Sequence, residues 1–120
     1  MRFASLGSGS RGNAWLVQKG STLVMVDCGF GLTEVTHRLA RWGVAPAAVD
    51  AVVLTHEHGD HARGAVRFAA RYGCALWMTP GCRAMLAAAA DLPASIRLVE
   101  ANRALAIGDL ELRPYPIPHD

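Results

Sequence analysis

Apolar and polar positions along this chain follow two periods, and the shorter one comes first. Arg2–Leu6, Ala14–Gln18 and Thr22–Val26 are short runs of β-branched and large apolar residues set between glycine, serine and asparagine, which predicts three strands. The second and third read as a hairpin about Lys19-Gly20-Ser21. From Thr33 the period lengthens. Val35, Leu39 and Trp42 recur at helical spacing, Thr33 can cap the first turn and Gly43 is a stop, so a helix is predicted over 33–42. Pro46 opens a short turn, and Ala51-Val52-Val53-Leu54 reads as a buried strand. Gly64–Tyr72 is helical and stops at Gly73, and Ala75–Met78 is a further strand. Thr79-Pro80 pairs a cap with a proline at the first helical position, opening a helix to about Ala90. Ile96–Val99, Arg103–Ile107 and Leu110–Ile117 complete the set as strands, the last two joined at Gly108-Asp109. Strands and helices in this order predict an α+β (α/β) domain with a sheet covered by helices on one side.

The densest chemistry follows the buried strand. Thr55-His56-Glu57-His58-Gly59-Asp60-His61 places three imidazoles and, besides Glu57, the carboxylate of Asp60 within six positions, the donors a borderline divalent metal prefers. On a turn leaving a strand, His56 and His58 can face one way while Asp60 and His61 close from the other. That arrangement suits two metals about 3.5–4 Å apart. The bland alternative is a polar surface loop that happens to be rich in histidine, but four of the five histidines lie here or at His119, which argues against chance and for a metal site. Pro114, Pro116 and Pro118 alternate and cannot donate to a ladder, so that segment is an edge or extended stretch with Tyr115, Ile117 and His119 on its other face.

His56-x-His58-x-Asp60-His61 after a buried strand resembles the signature of the metallo-β-lactamase-fold superfamily. Val24-Met25-Val26-Asp27-Cys28-Gly29 resembles that superfamily's earlier strand ending in Asp. With Ser5-Leu6-Gly7-Ser8-Gly9-Ser10-Arg11-Gly12-Asn13-Ala14 and the Pro118-His119-Asp120 ending, the likeness runs along essentially the whole chain. Order and spacing are most similar to the bacterial branch containing ribonuclease-Z-like proteins and the YycJ (WalJ-type) exonucleases. The resemblance implies an αββα sandwich, of which this chain is about the N-terminal half. It also implies that His56, His58 and His119 hold one metal while Asp60 and His61 begin the second site. Two such metals lower the pKa of a bridging water from 15.7 to about 7 and set it in line with a phosphorus or carbonyl centre. Asp60 can accept a hydrogen bond from that water and aim it, and Asp27 can accept from a ligand imidazole and fix its tautomer; the bland alternative for Asp27 is a turn cap. The metals are expected to be two divalent ions, zinc first, with manganese or iron also suited to histidine and carboxylate. A later bridging carboxylate and a last histidine are expected downstream, so the chain reads as a portion of a protein about twice as long and inactive alone.

Composition narrows the remaining possibilities. The 120 residues fit one domain, residues 1–120, and 52% are hydrophobic. No run reaches the roughly 18 apolar residues of a membrane span, and only Arg2 precedes the Gly/Ser-rich loop, so a cytoplasmic location without membrane association is expected. Cys28, Cys74 and Cys82 share no metal spacing and read as reduced core residues. Gly7-Ser8-Gly9-Ser10-Arg11-Gly12 satisfies G-x-G-x-x-G, but a dinucleotide site needs a helix next, and Trp15-Leu16-Val17 is strand composition. Arg63, Arg67 and Arg71 recur every four residues, either as a solvated helix face or as a rim attracting phosphate. His37 reads as a surface residue. A net charge of +2 is too small to argue for nucleic acid by itself, and the sequence sets no oligomeric state. The expected function is a metal-dependent phosphodiesterase or nuclease acting on DNA or RNA through a metal-bound hydroxide. A carboxylic or thioester hydrolase and an inactive, partly metal-binding fragment are the alternatives.

Overall fold

The computed structural model describes residues 1–9, 12–56, 59–62, 64–87, 92, 96–100 and 102–114. Its frame is a six-stranded sheet in the order β1 (Arg2–Gly7), β2 (Ala14–Lys19), β3 (Thr22–Val26), β4 (Ala51–Val53), β5 (Ala75–Met78), β6 (Ile96–Leu98). The first three strands pair antiparallel, and β3 to β6 are parallel. The switch follows from connection length. Lys19 pairs with Thr22, so Gly20-Ser21 is a two-residue hairpin turn, whereas α1 (Leu32–Arg41), α3 (Ala65–Tyr72) and α4 (Pro80–Ala87) supply the long crossovers that parallel neighbours need. A four-residue helix, α2 (Gly59–Ala62), precedes α3. Leu105–Ile107 and Leu110–Leu112 form a separate antiparallel pair, β7 and β8.

The strand pattern explains the layers. Leu16, Leu23, Met25, Val52, Leu76 and Met78 point to one face, where Val35 and Leu39 of α1, Phe68 and Ala69 of α3 and Cys82 of α4 meet them in the main core. Their neighbours Val24, Val26, Ala51, Val53, Ala75 and Trp77 point to the other face. There Ile107 and Leu110 of the β7–β8 pair cover Val24 and Ala51. The Asp109 N–H donates to Thr22 Oγ1 at 2.8 Å and pins the tip of that pair to the start of β3. Helices therefore lie on one side of the sheet, as the sequence predicts, and a second β layer begins on the other.

Several boundaries differ from the sequence expectation for local reasons. Helix α1 starts at Leu32 behind an extended Gly31 that makes no side-chain cap bond, so Thr33 lies inside the first turn rather than capping it. Trp42 is the residue after the last turn and stays 57% exposed, leaving Val35 and Leu39 as the buried stripe. The helix expected over Gly64–Tyr72 runs over Ala65–Tyr72, and a further four-residue helix, Gly59–Ala62, lies within the histidine motif. Thr79 does cap α4, its hydroxyl accepting from the Cys82 N–H at 3.1 Å. Residues 88–90, which would extend that helix to Ala90, lie outside the described residues. The seventh strand begins only at Leu105, because the chain turns at Asn102 (φ 62°), and β8 ends at Leu112, two residues before Pro114. Among the described residues, no helix is long and apolar enough to cross a membrane.

Phe68 is fully buried at the centre of the main core, while its neighbour Arg67 is exposed on the outer side of α3. Phe68→Ala should cost about 3–5 kcal/mol of unfolding free energy, and Arg67→Ala should leave the urea midpoint near its original value. Equal effects of the two substitutions would contradict this packing.

Candidate metal centre

The site forms where parallel strands end side by side. Val26 pairs with Val53, so the residues leaving β3 and β4 emerge next to each other at one edge of the sheet. Asp27 follows β3 with φ 62°, a left-handed conformation that side chains other than Asn, Asp and Gly seldom adopt. Its backbone N–H still donates to Val53 O at 2.8 Å, so the ladder holds the residue in that conformation while its side chain turns towards β4. The carboxylate is 5% exposed. Its Oδ1 accepts from the Thr55 N–H at 2.8 Å, and its Oδ2 accepts from the Thr55 hydroxyl at 2.7 Å. His61 Nδ1 lies 2.8 Å from the same Oδ2. A carboxylate can only accept, so this nitrogen donates.

The Thr55 hydroxyl also lies 2.8 Å from His56 Nδ1. The imidazoles of His56 and His61 sit with ring centroids 4.6 Å apart and planes inclined by 44°. Candidate ligand atoms of Asp27, His56 and His61 all lie within 4.8 Å of one another, a span that a metal ion can occupy. Both oxygens of Asp27 are already engaged by the chain, so the imidazoles are the groups better able to meet a metal. This donor set fits a divalent ion: neutral imidazoles backed by a buried carboxylate are the usual surroundings of zinc.

Backbone bonds brace the cluster. The Cys28 N–H donates to His61 O at 2.7 Å, and the Gly64 N–H to Cys28 O at 2.8 Å, lacing the end of β3 to the start of α3. Burial pushes the Cys28 thiol up to about 12, with the Asp27 carboxylate adding to the rise, so this cysteine is an inert core residue. The glycine-rich loop joins two strands, and no helix follows it, which removes a dinucleotide site. It wraps Phe30 instead: a Cβ on Gly12 would come within 2.5 Å of the Phe30 ring. Arg38 closes over that ring at 4.1 Å and donates to Leu6 O at 2.6 Å, so this arginine is a clamp.

Of the residues the sequence singles out, the structure brings Asp27, His56 and His61 together. Asp60 lies in α2, and Arg67 and Arg71 sit exposed along α3, Arg71 with its guanidinium 5.0 Å over the Tyr72 ring. His58, Arg63 and His119 lie outside the described residues. His37 is exposed on α1. Thr55 is a site residue that the sequence barely marks. Its only signal there is a hydroxyl residue directly before the first histidine, and its importance depends on Asp27 arriving from 28 positions away.

A family model described as the metallo-beta-lactamase superfamily matches residues 7–119, and the chain belongs to that superfamily. Its relatives include an exodeoxyribonuclease, WalJ of Streptococcus pneumoniae, 26% identical over 123 residues that cover 99% of this chain and 46% of that protein. Ribonuclease Z of Mycobacterium marinum is 44% identical over 50 residues, 42% of this chain and 17% of its own length. Among solved structures, a B3 metallo-beta-lactamase with an active-site glutamic acid superposes with a TM-score of 0.75 at 18% identity, covering 94% of this chain and 48% of its own. That likeness shows the fold. The chain spans about half the length of the first of these relatives.

Gly64 faces the cluster's bracing directly. A Cβ there would collide with Phe30 O and come within 3.2 Å of Cys28 Sγ, whereas one on Gly81 in α4 would meet nothing within 4 Å. Gly64→Ala should therefore cost about 1–3 kcal/mol or more in urea denaturation. Gly81→Ala should be neutral or gain up to about 1 kcal/mol. If Gly64→Ala unfolded at the same urea concentration as the parent, the close approach would be wrong.

Proposed function

We propose that the complete protein is a metal-dependent phosphodiesterase acting on nucleic acid, a nuclease of the exonuclease kind. The observation that carries this reading is the likeness to an exodeoxyribonuclease along 99% of the chain, with the His56-to-His61 motif inside it. In this reading His56, His58 and His119 hold one divalent metal, and Asp60 and His61 begin the site of a second. Zinc suits these donors best, and manganese or iron could replace it. Bound there, such ions would supply Lewis acidity and a water whose pKa falls from 15.7 to about 7. The chain's own groups do the rest. Asp27 accepts from the His61 ring and orients it. Asp60 accepts a hydrogen bond from the attacking water and aims its lone pair at phosphorus. Arg67 and Arg71, exposed along α3, and Arg63, which precedes them at the same four-residue spacing in the sequence, would serve as a track for a phosphate backbone.

The test is turnover by the complete protein. A bis-aryl phosphodiester and single-stranded DNA should be hydrolysed, a chelator should abolish the activity and added zinc should restore it. Thioester turnover without phosphodiester turnover would favour a carboxylic or thioester hydrolase. No turnover with metal restored would leave a protein that only keeps the fold. Asp60→Asn keeps the shape and loses the charge, so it should cut turnover by about 10²–10⁴-fold while leaving the unfolding midpoint nearly unmoved.

The arginine track has its own signature. Changing Arg63, Arg67 and Arg71 together to Gln should weaken DNA or RNA binding most at low salt, because each phosphate contact to a single strand contributes a slope of about 0.7 in log affinity against log salt. Hydrolysis of the small phosphodiester should stay unchanged. Loss on both substrates would indicate damaged folding, and loss on neither would make the stripe a solvated helix face.

A further inference from the structure

We infer that Thr55 is a positioning residue whose hydroxyl extends the Asp27 carboxylate to His56, so that His56 and His61 hang from one carboxylate oxygen with Nδ1 protonated and Nε2 presented as the ligand atom. Counting protons gives this result. The Asp27 carboxylate has no proton to offer, so the 2.7 Å contact between its Oδ2 and Thr55 Oγ1 is filled by the hydroxyl proton. A hydroxyl has only one. At the second contact, 2.8 Å to His56 Nδ1, Thr55 Oγ1 must therefore accept, and the ring nitrogen must donate. His61 Nδ1 donates to the same Oδ2 directly. A neutral imidazole with its proton on Nδ1 carries its lone pair on Nε2.

Two hydrogen bonds tie Thr55 to the carboxylate at the base of this relay. Its N–H is bonded to Oδ1 of the same carboxylate while its hydroxyl is bonded to Oδ2, a two-point clasp between the residues leaving β3 and β4. Asp27 reaches the clasp through its left-handed backbone, and burial keeps competing water from the carboxylate. The two rings depend on the clasp differently. His61 Nδ1 meets Asp27 Oδ2 directly, whereas His56 Nδ1 reaches it through the threonine hydroxyl. Removal of that hydroxyl should change the tautomer of His56 and not that of His61. The arrangement also means that the two metal positions proposed above share a single protein anchor.

Only the consequence for metal binding rests on the proposed function; the tautomers do not. The experiment reads them in the metal-free protein at alkaline pH, from long-range proton–nitrogen correlation spectra. Wild-type His56 and His61 should both show the Nδ1–H pattern. Thr55→Val, similar in shape but without a hydroxyl, should move His56 towards the Nε2–H form and leave His61 unchanged, and Thr55→Ser should restore His56. Zinc titration of the same set should show an affinity loss of about 10–100-fold for Thr55→Val and little loss for Thr55→Ser. An Nε2–H pattern for His56 in the wild type overturns the relay even if the valine variant fails to fold. So does a valine variant with unchanged His56, or one in which both rings move alike. Correct tautomers with no zinc binding would uphold the relay and overturn the metal reading alone.

Discussion

The site depends on one buried carboxylate held in an unfavourable backbone conformation. Asp27 adopts φ 62° because the parallel ladder continues through its N–H to Val53 while its side chain must reach across to the next strand's exit. A non-glycine residue in that region costs on the order of 1 kcal/mol, and such strain persists only where surrounding bonds over-determine it. Here the two oxygens of Asp27 meet three donors, from Thr55 and His61. The clasp fixes where β3 and β4 release the chain, and with it where His56 and α2 begin.

The fold makes this possible by running β3 to β6 in parallel. Parallel strands deliver their following loops to one edge of the sheet, and chemistry from distant parts of the sequence collects there. The helices that make the crossovers cover only one face. On the opposite face β7 and β8 cover part of the apolar surface, and Trp15 remains 44% exposed. Over about half the length of the first relatives it matches, the chain builds a helical layer and a core on one face of the sheet and begins a β layer on the other.

Much of this was legible in the sequence because it is local. Period-two and helical spacing located β1 to β6, α1, α3 and α4, since alternation of burial along a strand or helix is imposed by the backbone itself. The errors fell at element ends. Thr33 looked like a cap, but the extended Gly31 let the helix start earlier, and Trp42 fits the helical stripe yet lies just past the last turn, where the stripe no longer faces the sheet. The last strands came out shorter because Asn102 turns the chain before β7 and Pro114 cannot join a ladder after β8.

The sequence by itself determined that imidazoles and a carboxylate would be concentrated just after a buried strand, and that a lone acid would end an earlier one. Those facts depend only on neighbours in the chain. Only the tertiary structure decided that Asp27 meets Thr55 and His61, 28 and 34 positions away, and that both imidazoles lie against one carboxylate. That meeting is set by the register of β3 on β4, with Val26 opposite Val53, and by a left-handed turn at Asp27. Neither leaves a periodic trace, because register and side-chain reach are fixed by packing between segments rather than by the order of residues within one.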